Sequence, residues 1–160
     1  MELKDFLKEL PFVLIQIVMI ILYYTLAFID GDSVTPDRLT EVLDLNVMVF
    51  VGFGFLGVYL KEYAWSAVGY NFIMAAWAIE LAMIFQPMIF SEIYRTKPTS
   101  IELSLGTFIY ADYVAAMVLI MMGAITGRAS FHQLFILTTI CVITGLLNAL
   151  LMQIWMVHDY

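Results

Sequence analysis

The 160-residue chain has little charge and only one cysteine. Charged side chains make up 13% of the sequence against 63% for hydrophobic ones, and the mean hydropathy is +0.94. A single cysteine, Cys141, excludes an intrachain disulfide and any metal site built from several cysteines. The two histidines lie far apart, and no metalloprotease, nucleophile-elbow or phosphate-loop motif is present. We therefore expect no metal site, no cofactor and no enzymatic activity.

Positive charge is especially scarce. Seven Lys and Arg residues stand against fourteen Asp and Glu residues, which gives a formal net charge of −7. Nucleic-acid binding depends on clustered Lys and Arg, so this composition argues against a nucleic-acid partner. Five acids and the single Arg38 fall between the first two apolar runs, which predicts a loop over residues 30–44. These acids are Asp30, Asp32, Asp37, Glu41 and Asp44.

Long apolar runs fill most of the chain. There are five of them, each close to the length needed to cross the hydrocarbon core of a bilayer. A soluble domain of this size could not bury so much apolar surface within itself, so the expected surroundings are lipid. We predict an all-α, polytopic membrane helix bundle with five transmembrane helices. The expected spans are residues 11–29, 45–60, 64–90, 103–126 and 131–157.

The Lys and Arg residues between the spans set the expected orientation. Four of them fall on the side of the N-terminus and three on the opposite side. Cytoplasmic loops carry an excess of positive residues, and the acidic segment lies on the side opposite to the N-terminus. The sequence therefore predicts a multi-pass protein of the cell membrane with a cytoplasmic N-terminus.

Polar residues within the spans are the most informative positions, because a charge in hydrocarbon is costly. Glu80 lies in the third span and Asp112 in the fourth. Asp112 is either a site on an ion or solute path or a structural acid that accepts hydrogen bonds from a neighbouring helix. The structural interpretation is preferred for both acids. Three amides also fall within spans: Asn46, Asn71 and Asn148.

Glycines in two spans predict close contact between helices. Gly52 and Gly54 lie in the second span, and Gly123 and Gly127 have the GxxxG spacing at the end of the fourth. Small residues allow transmembrane helix backbones to approach one another. Tyr113 differs from the other aromatic residues, because it lies beside an acid within a span rather than near a span end.

Several of these residues belong to stretches that resemble a known family. Residues 44–56 (DLNVMVFVGFGFL) and 63–71 (YAWSAVGYN) closely resemble the Rh glycoprotein branch of the ammonium transporter (Amt/Rh) family. Residues 111–113 (ADY) are similar to its Asn-Ala-Asp-Phe stretch, and residues 123–130 (GAITGRAS) to its Gly-Ala-Val-Leu-Gly-Lys-x-Ser corner. The resemblance covers nearly the whole chain but only the N-terminal half of the family's inverted-repeat fold.

The resemblance implies a homotrimer in which each subunit has its own pore for ammonia or ammonium, with carbon dioxide as a further candidate solute. In the family an acid at the outer vestibule recruits ammonium, and Asp159 matches it. Tyr113 matches the first of the Phe rings that gate the pore, and its hydroxyl adds polarity to an apolar plug. Neither His132 nor His158 matches a pore histidine of the family.

Two functions are compatible with this pattern. The first is an Rh-type ammonia/ammonium channel, present here as a truncated chain without the pore histidines. The alternative is a short, non-transporting Rh-like membrane protein that associates with full-length subunits in a mixed trimer and modulates them. The intact mass of the native polypeptide would distinguish a longer channel from a chain of 18.2 kDa.

Overall fold

The computed structural model of the chain describes residues 3–29, 35–59, 64–94 and 101–155. Five helical segments run through these residues, and four of them are long and apolar enough to cross a membrane. The prediction of an all-α, multi-pass bundle is confirmed. The described residues also contain a short parallel ladder between β1 (Ala27–Ile29) and β2 (Ile101–Leu103). This ladder connects the residues that follow the first helix to the residues that precede the fourth predicted span.

Helix α1 (Leu3–Leu26) contains Pro11 and has a shorter apolar stretch than the other four, Leu10–Thr25. The side chains that face the bundle recur every three or four residues along one side of the helix, as the helical period requires. Most of the remaining described side chains on α1 are exposed. The partly buried ones on this side are Phe12, Gln16, Met19 and Tyr23.

The second span belongs to a longer helical run, Pro36–Tyr59, which we call the composite helix. It begins with α2 (Pro36–Asn46), where the Thr35 hydroxyl accepts a hydrogen bond from the Arg38 backbone N–H at 3.5 Å. A Thr N-cap followed by Pro at the first position favours a helix start. The predicted loop over residues 30–44 is therefore wrong from Pro36 onward, and residues 30–34 lie outside the described part.

After α2 the winding of the composite helix changes three times. A π-helical turn (Val47–Gly52) follows α2, then α3 (Phe53–Leu56), and a 3₁₀ turn (Gly57–Tyr59) ends the run. The buried residues Val42, Leu45, Val49 and Gly54 are separated by three, four and then five positions. The five-residue step coincides with the wider π turn, so one face of the helix stays buried although the α-helical period is interrupted.

Three long helices form the centre of the bundle: α4 (Ala64–Tyr94), α5 (Leu105–Ile125) and α6 (Phe131–Trp155). Helix α4 packs against both of the others, and it continues through Pro87. Buried alanines are frequent on α4 and α5, and small residues let helix backbones approach one another. The buried alanines are Ala67, Ala75, Ala78 and Ala82 on α4 and Ala111, Ala115 and Ala116 on α5.

Candidate functional site

Asp112 lies at the junction of α5 and the composite helix and has no exposed surface. The side-chain amide of Asn46 donates to Asp112 Oδ2 at 3.2 Å and also to the Val42 carbonyl at 2.9 Å. Asp112 Oδ1 is buried, and no group in the described residues hydrogen-bonds to it. The carboxyl group thus joins two helices through one of its oxygens. Its predicted structural role stays a prediction until it is tested by substitution.

Tyr113 lies on a different side of α5 from its neighbour. Successive residues of an α-helix are rotated by about 100°, and the Tyr113 side chain is 52% exposed whereas Asp112 is fully buried. Ile120, seven residues further along the same side, is 65% exposed. The ring therefore projects from the bundle at a point where the Asp112–Asn46 bond holds the helix. Its gating role stays a prediction.

Glu80 lies on α4 and faces α1 rather than α5. Both of its carboxylate oxygens accept hydrogen bonds from the Gln16 side-chain amide, at 2.9 and 3.0 Å. The Tyr23 hydroxyl donates to the backbone carbonyl of the same residue at 2.6 Å. The structure therefore does not bring the two predicted acids together. Asp112 connects α5 to the composite helix, and Glu80 connects α4 to α1.

Asn71 is a functional candidate whose role the sequence did not indicate. It is 2% exposed, and its side-chain amide donates to the Val49 carbonyl at 3.3 Å, within the π-helical turn. An ideal Cβ built on Gly54 would lie 3.5 Å from the Asn71 Nδ2 atom, so a small residue suits this contact. The signal in the sequence was the presence of a polar amide inside an apolar run, but no pattern named its partner.

The four glycines predicted to pack helices have different surroundings. Gly54 faces Asn71 and Phe72 of α4. A Cβ on Gly52 would approach only its own helix, and a Cβ on Gly123 would meet no described atom within 4 Å. Gly127 follows α5 with φ of 87°, a left-handed conformation that ends helices and favours glycine. The packing role of Gly52, Gly54, Gly123 and Gly127 therefore stays a prediction, and of the first three only Gly54 has a described residue of a neighbouring helix within 4 Å of an ideal Cβ.

Asp159, the predicted recruiting acid, lies outside the described residues. In the described part of the chain no three His, Cys, Asp or Glu side chains cluster closely enough to hold a metal ion. An open groove of about 520 Å³ along α2 is lined by three acids and one hydroxyl. These side chains are Asp37, Thr40, Glu41 and Asp44.

Comparison with known proteins identifies several that are similar in sequence to this chain. No family model matches it. It is 34% identical over 134 residues to an ammonium transporter Rh type C from Pongo abelii, which covers 78% of this chain and 28% of that protein. The proteins of the same name from Tetraodon nigroviridis and Homo sapiens are 41% and 39% identical over 101 residues, which is 63% of this chain. The resemblance to the Rh branch of the Amt/Rh family is confirmed.

The match to these Rh proteins is partial on their side. The chain spans 21% of the Tetraodon protein and 20% of the human one. Such coverage fits a correspondence with the N-terminal portion of the family fold. The relatives are named as transporters, and at the level of the family this supports the expectation that the chain is not an enzyme.

Proposed function

We propose that the bundle forms part of an Rh-type channel for ammonia and ammonium in the cell membrane. The observation that carries the proposal is the similarity to proteins named ammonium transporter Rh type C, at 34% identity over 78% of this chain for one of them. The channel acts as a homotrimer, or as a mixed trimer with other family members. Carbon dioxide is a second solute to be measured in the same assay.

The position of Tyr113 supports a place for this residue on the solute path. Its ring is half exposed on α5, whereas most of the α5 residues around it are buried in the bundle. The hydrogen bond between Asn46 and Asp112 fixes the adjacent backbone, so the ring projects from a rigid element. A bulky aromatic group held in this way can narrow an opening formed between this bundle and another part of the assembly.

Negative charge at the same end of the bundle supports attraction of ammonium. The acids that line the α2 groove precede Asn46, which bonds to Asp112 beside Tyr113. A surface lined by one sign of charge raises the local concentration of counter-ions. With a cytoplasmic N-terminus this end faces outward, and Asp159 is proposed as a further recruiting acid.

The apolar composition of the helices favours passage of the neutral gas. Moving an ion from water into an apolar medium costs far more than moving a small neutral molecule. Ammonium that collects at the acidic end therefore transfers a proton to water there, which leaves hydronium in the solution and neutral ammonia to cross. Recruitment of ammonium therefore depends on negative charge, whereas conduction requires an uncharged solute.

Replacement of Tyr113 tests whether its ring narrows the solute path. In vesicles that contain the native assembly, Tyr113→Ala should change methylammonium uptake by several-fold or more while trimer assembly, measured by cross-linking, is unchanged. Ile120→Ala is the matched control, because it lies on the same side of α5 and is similarly exposed. Equal uptake in the two variants would remove Tyr113 from the path, and loss of the trimer would assign it to packing.

Replacement of Asp159 tests recruitment separately. Asp159→Asn should raise the methylammonium concentration for half-maximal uptake, because the carboxylate that attracts the cation is lost. The maximal rate of methylammonium uptake should change less in Asp159→Asn than in Tyr113→Ala. An unchanged half-maximal concentration would remove the recruiting role. Absence of uptake by the wild-type assembly, with retained binding to full-length subunits, would instead favour the non-transporting, modulating protein.

A further inference from the structure

One amide of the membrane helices has no partner within the bundle. Asn148 is exposed on α6, and no group in the described residues hydrogen-bonds to its side chain. By contrast, Gln16, Asn46 and Asn71 each donate to a group on another helix. The Asn148 amide, with its two N–H donors and its carbonyl oxygen, is therefore free to bond to a group outside the bundle.

The depth of Asn148 makes lipid an unfavourable neighbour. Helix α6 is long and apolar enough to cross a membrane, and Trp155 at its end is 85% exposed, as is common for tryptophan at the membrane–water boundary. Asn148 precedes Trp155 by seven residues, which is about 10 Å along the helix. Hydrocarbon cannot bond to an amide at this depth. Asn148 therefore requires water, a solute or a polar group from another part of the assembly.

The packing of α6 on α5 places Asn148 near Tyr113. An ideal Cβ built on Gly145 would lie 3.0 Å from the Met117 sulfur, so these two residues mark the contact between the helices. Tyr113 lies four residues before Met117, and Asn148 lies three residues after Gly145. Since α5 and α6 run in opposite directions, both steps lead toward the end of the bundle that carries α2. Tyr113 and Asn148 therefore lie at a similar depth.

The two side chains also point to the same side of the α5–α6 contact. Toward the α2 end, the step to Tyr113 passes a full helical turn by about 40°, whereas the step to Asn148 falls short of one by about 60°. Opposite rotations on two facing helices turn both side chains to the same side. Both are exposed there, and the Tyr113 hydroxyl also has no hydrogen-bond partner in the described part of the chain.

We propose that Asn148 is a second residue of the solute path, where its amide binds ammonium, methylammonium or ammonia at the level of the Tyr113 ring. This inference rests on the proposed channel function. An ammonium N–H can donate to the Asn148 carbonyl oxygen, and the amide N–H groups can donate to the lone pair of ammonia. A carboxylate offers only acceptors. The amide can therefore bind the solute both before and after it loses a proton.

Methylammonium uptake by the native assembly in vesicles tests this role. Asn148→Leu should raise the concentration for half-maximal uptake several-fold, because leucine neither donates nor accepts a hydrogen bond. Asn148→Ser keeps a donor and an acceptor and should recover part of the loss. Thr144→Val is the matched control, since Thr144 is exposed one turn away on α6 but bonds to the Ile140 carbonyl at 2.9 Å. An unchanged half-maximal concentration in Asn148→Leu, or loss of the trimer in both Asn148 variants, would overturn the proposal.

Thiol labelling separates this inference from the channel proposal. In a Cys141→Ser background, Asn148→Cys should react with a water-soluble methanethiosulfonate reagent, and methylammonium should slow the reaction. Leu147→Cys is the control at the same depth and should stay unreactive, because Leu147 is exposed on a side of α6 turned away from α5. Slowed labelling of Asn148→Cys without wild-type uptake would reject the channel but retain solute binding here. An unreactive Asn148→Cys would overturn the inference even if the assembly transports methylammonium.

Discussion

Helix α1 and the α4–α5 pair are both apolar helices of one bundle, yet they are held in different ways. Helices α4 and α5 pack against each other, and both carry buried alanines, which allow helix backbones to approach. Helix α1 exposes most of its described apolar side chains and reaches the bundle through Phe12, Gln16 and Tyr23. In lipid, apolar surface alone does not drive helices together. Close packing holds α4 against α5, whereas a few long side chains hold α1 against the bundle.

The aromatic contacts between α1 and the bundle are also few. The Phe12 ring lies 4.8 Å from the Phe135 ring, in an edge-to-face arrangement, and 5.0 Å from the His132 ring. The Gln16 and Tyr23 hydrogen bonds lie one and three turns further along α1. Because each of these contacts comes from the tip of a side chain, α1 should be the more easily detached element.

The largest effect is expected from enlarging a residue of the central interface. Ala78 is fully buried on α4, so Ala78→Leu must displace its neighbours and should lower the free energy of unfolding by about 1–3 kcal/mol or more. Ala76→Leu, on an exposed side of the same helix, should change it by less than about 0.5 kcal/mol. Unfolding in mixed micelles measures both variants. Equal effects would show that close packing does not hold this interface.

An intermediate effect is expected where the composite helix meets α4. A Cβ on Gly57 would lie 2.9 Å from the Ala67 Cβ, a contact that no side-chain rotation can relieve. Gly57→Ala should therefore destabilise the bundle by about 1–2 kcal/mol.

Gly123→Ala is the matched control for Gly57→Ala. The added Cβ meets no atom of the described residues within 4 Å, so Gly123→Ala should stabilise the helix by up to about 1 kcal/mol. Destabilisation by Gly123→Ala in the native assembly would indicate instead that Gly123 packs against another subunit. That result would support the packing role predicted from the GxxxG spacing.

The smallest effect is expected from the polar contact of α1. A double-mutant cycle of Gln16→Leu and Glu80→Leu should give a coupling energy of about 0.6 kcal/mol and at most about 1.7 kcal/mol, the average and the maximum for hydrogen bonds between transmembrane helices. Protease cleavage near Leu26 should increase in the Gln16→Leu variant, because α1 is less firmly attached. A coupling energy near zero, with unchanged cleavage, would assign the attachment of α1 to the Phe12 contacts.

The start of the composite helix shows where sequence reasoning gave too much weight to composition. The acids between residues 30 and 44 predicted a loop, yet Thr35 and Pro36 already form a local helix-start signal. Val42 and Leu45, three residues apart, are both buried. Asp37, Glu41 and Asp44 occupy the side of α2 that lines the open groove, so an amphipathic helix accommodates both patterns.

The buried polar groups show a limit of another kind. The sequence identified Glu80 and Asp112 as costly residues, but their partners Gln16 and Asn46 are 64 and 66 positions away. Nothing in the local pattern pairs these residues. The Val49 carbonyl, in the π-helical turn, likewise bonds to a distant residue, Asn71 of α4.

The sequence by itself determined that the chain is an all-α membrane bundle related to the Rh branch. Long apolar runs require a lipid environment and intrahelical hydrogen bonds, whatever the arrangement of the helices. The tertiary structure alone decided which side of each helix is buried. It separated Asp112 from Tyr113, directed Glu80 to α1 and placed the Asn71 amide against the Val49 carbonyl. These features depend on contacts between segments that are distant in the sequence, and such contacts form only when the helices pack together.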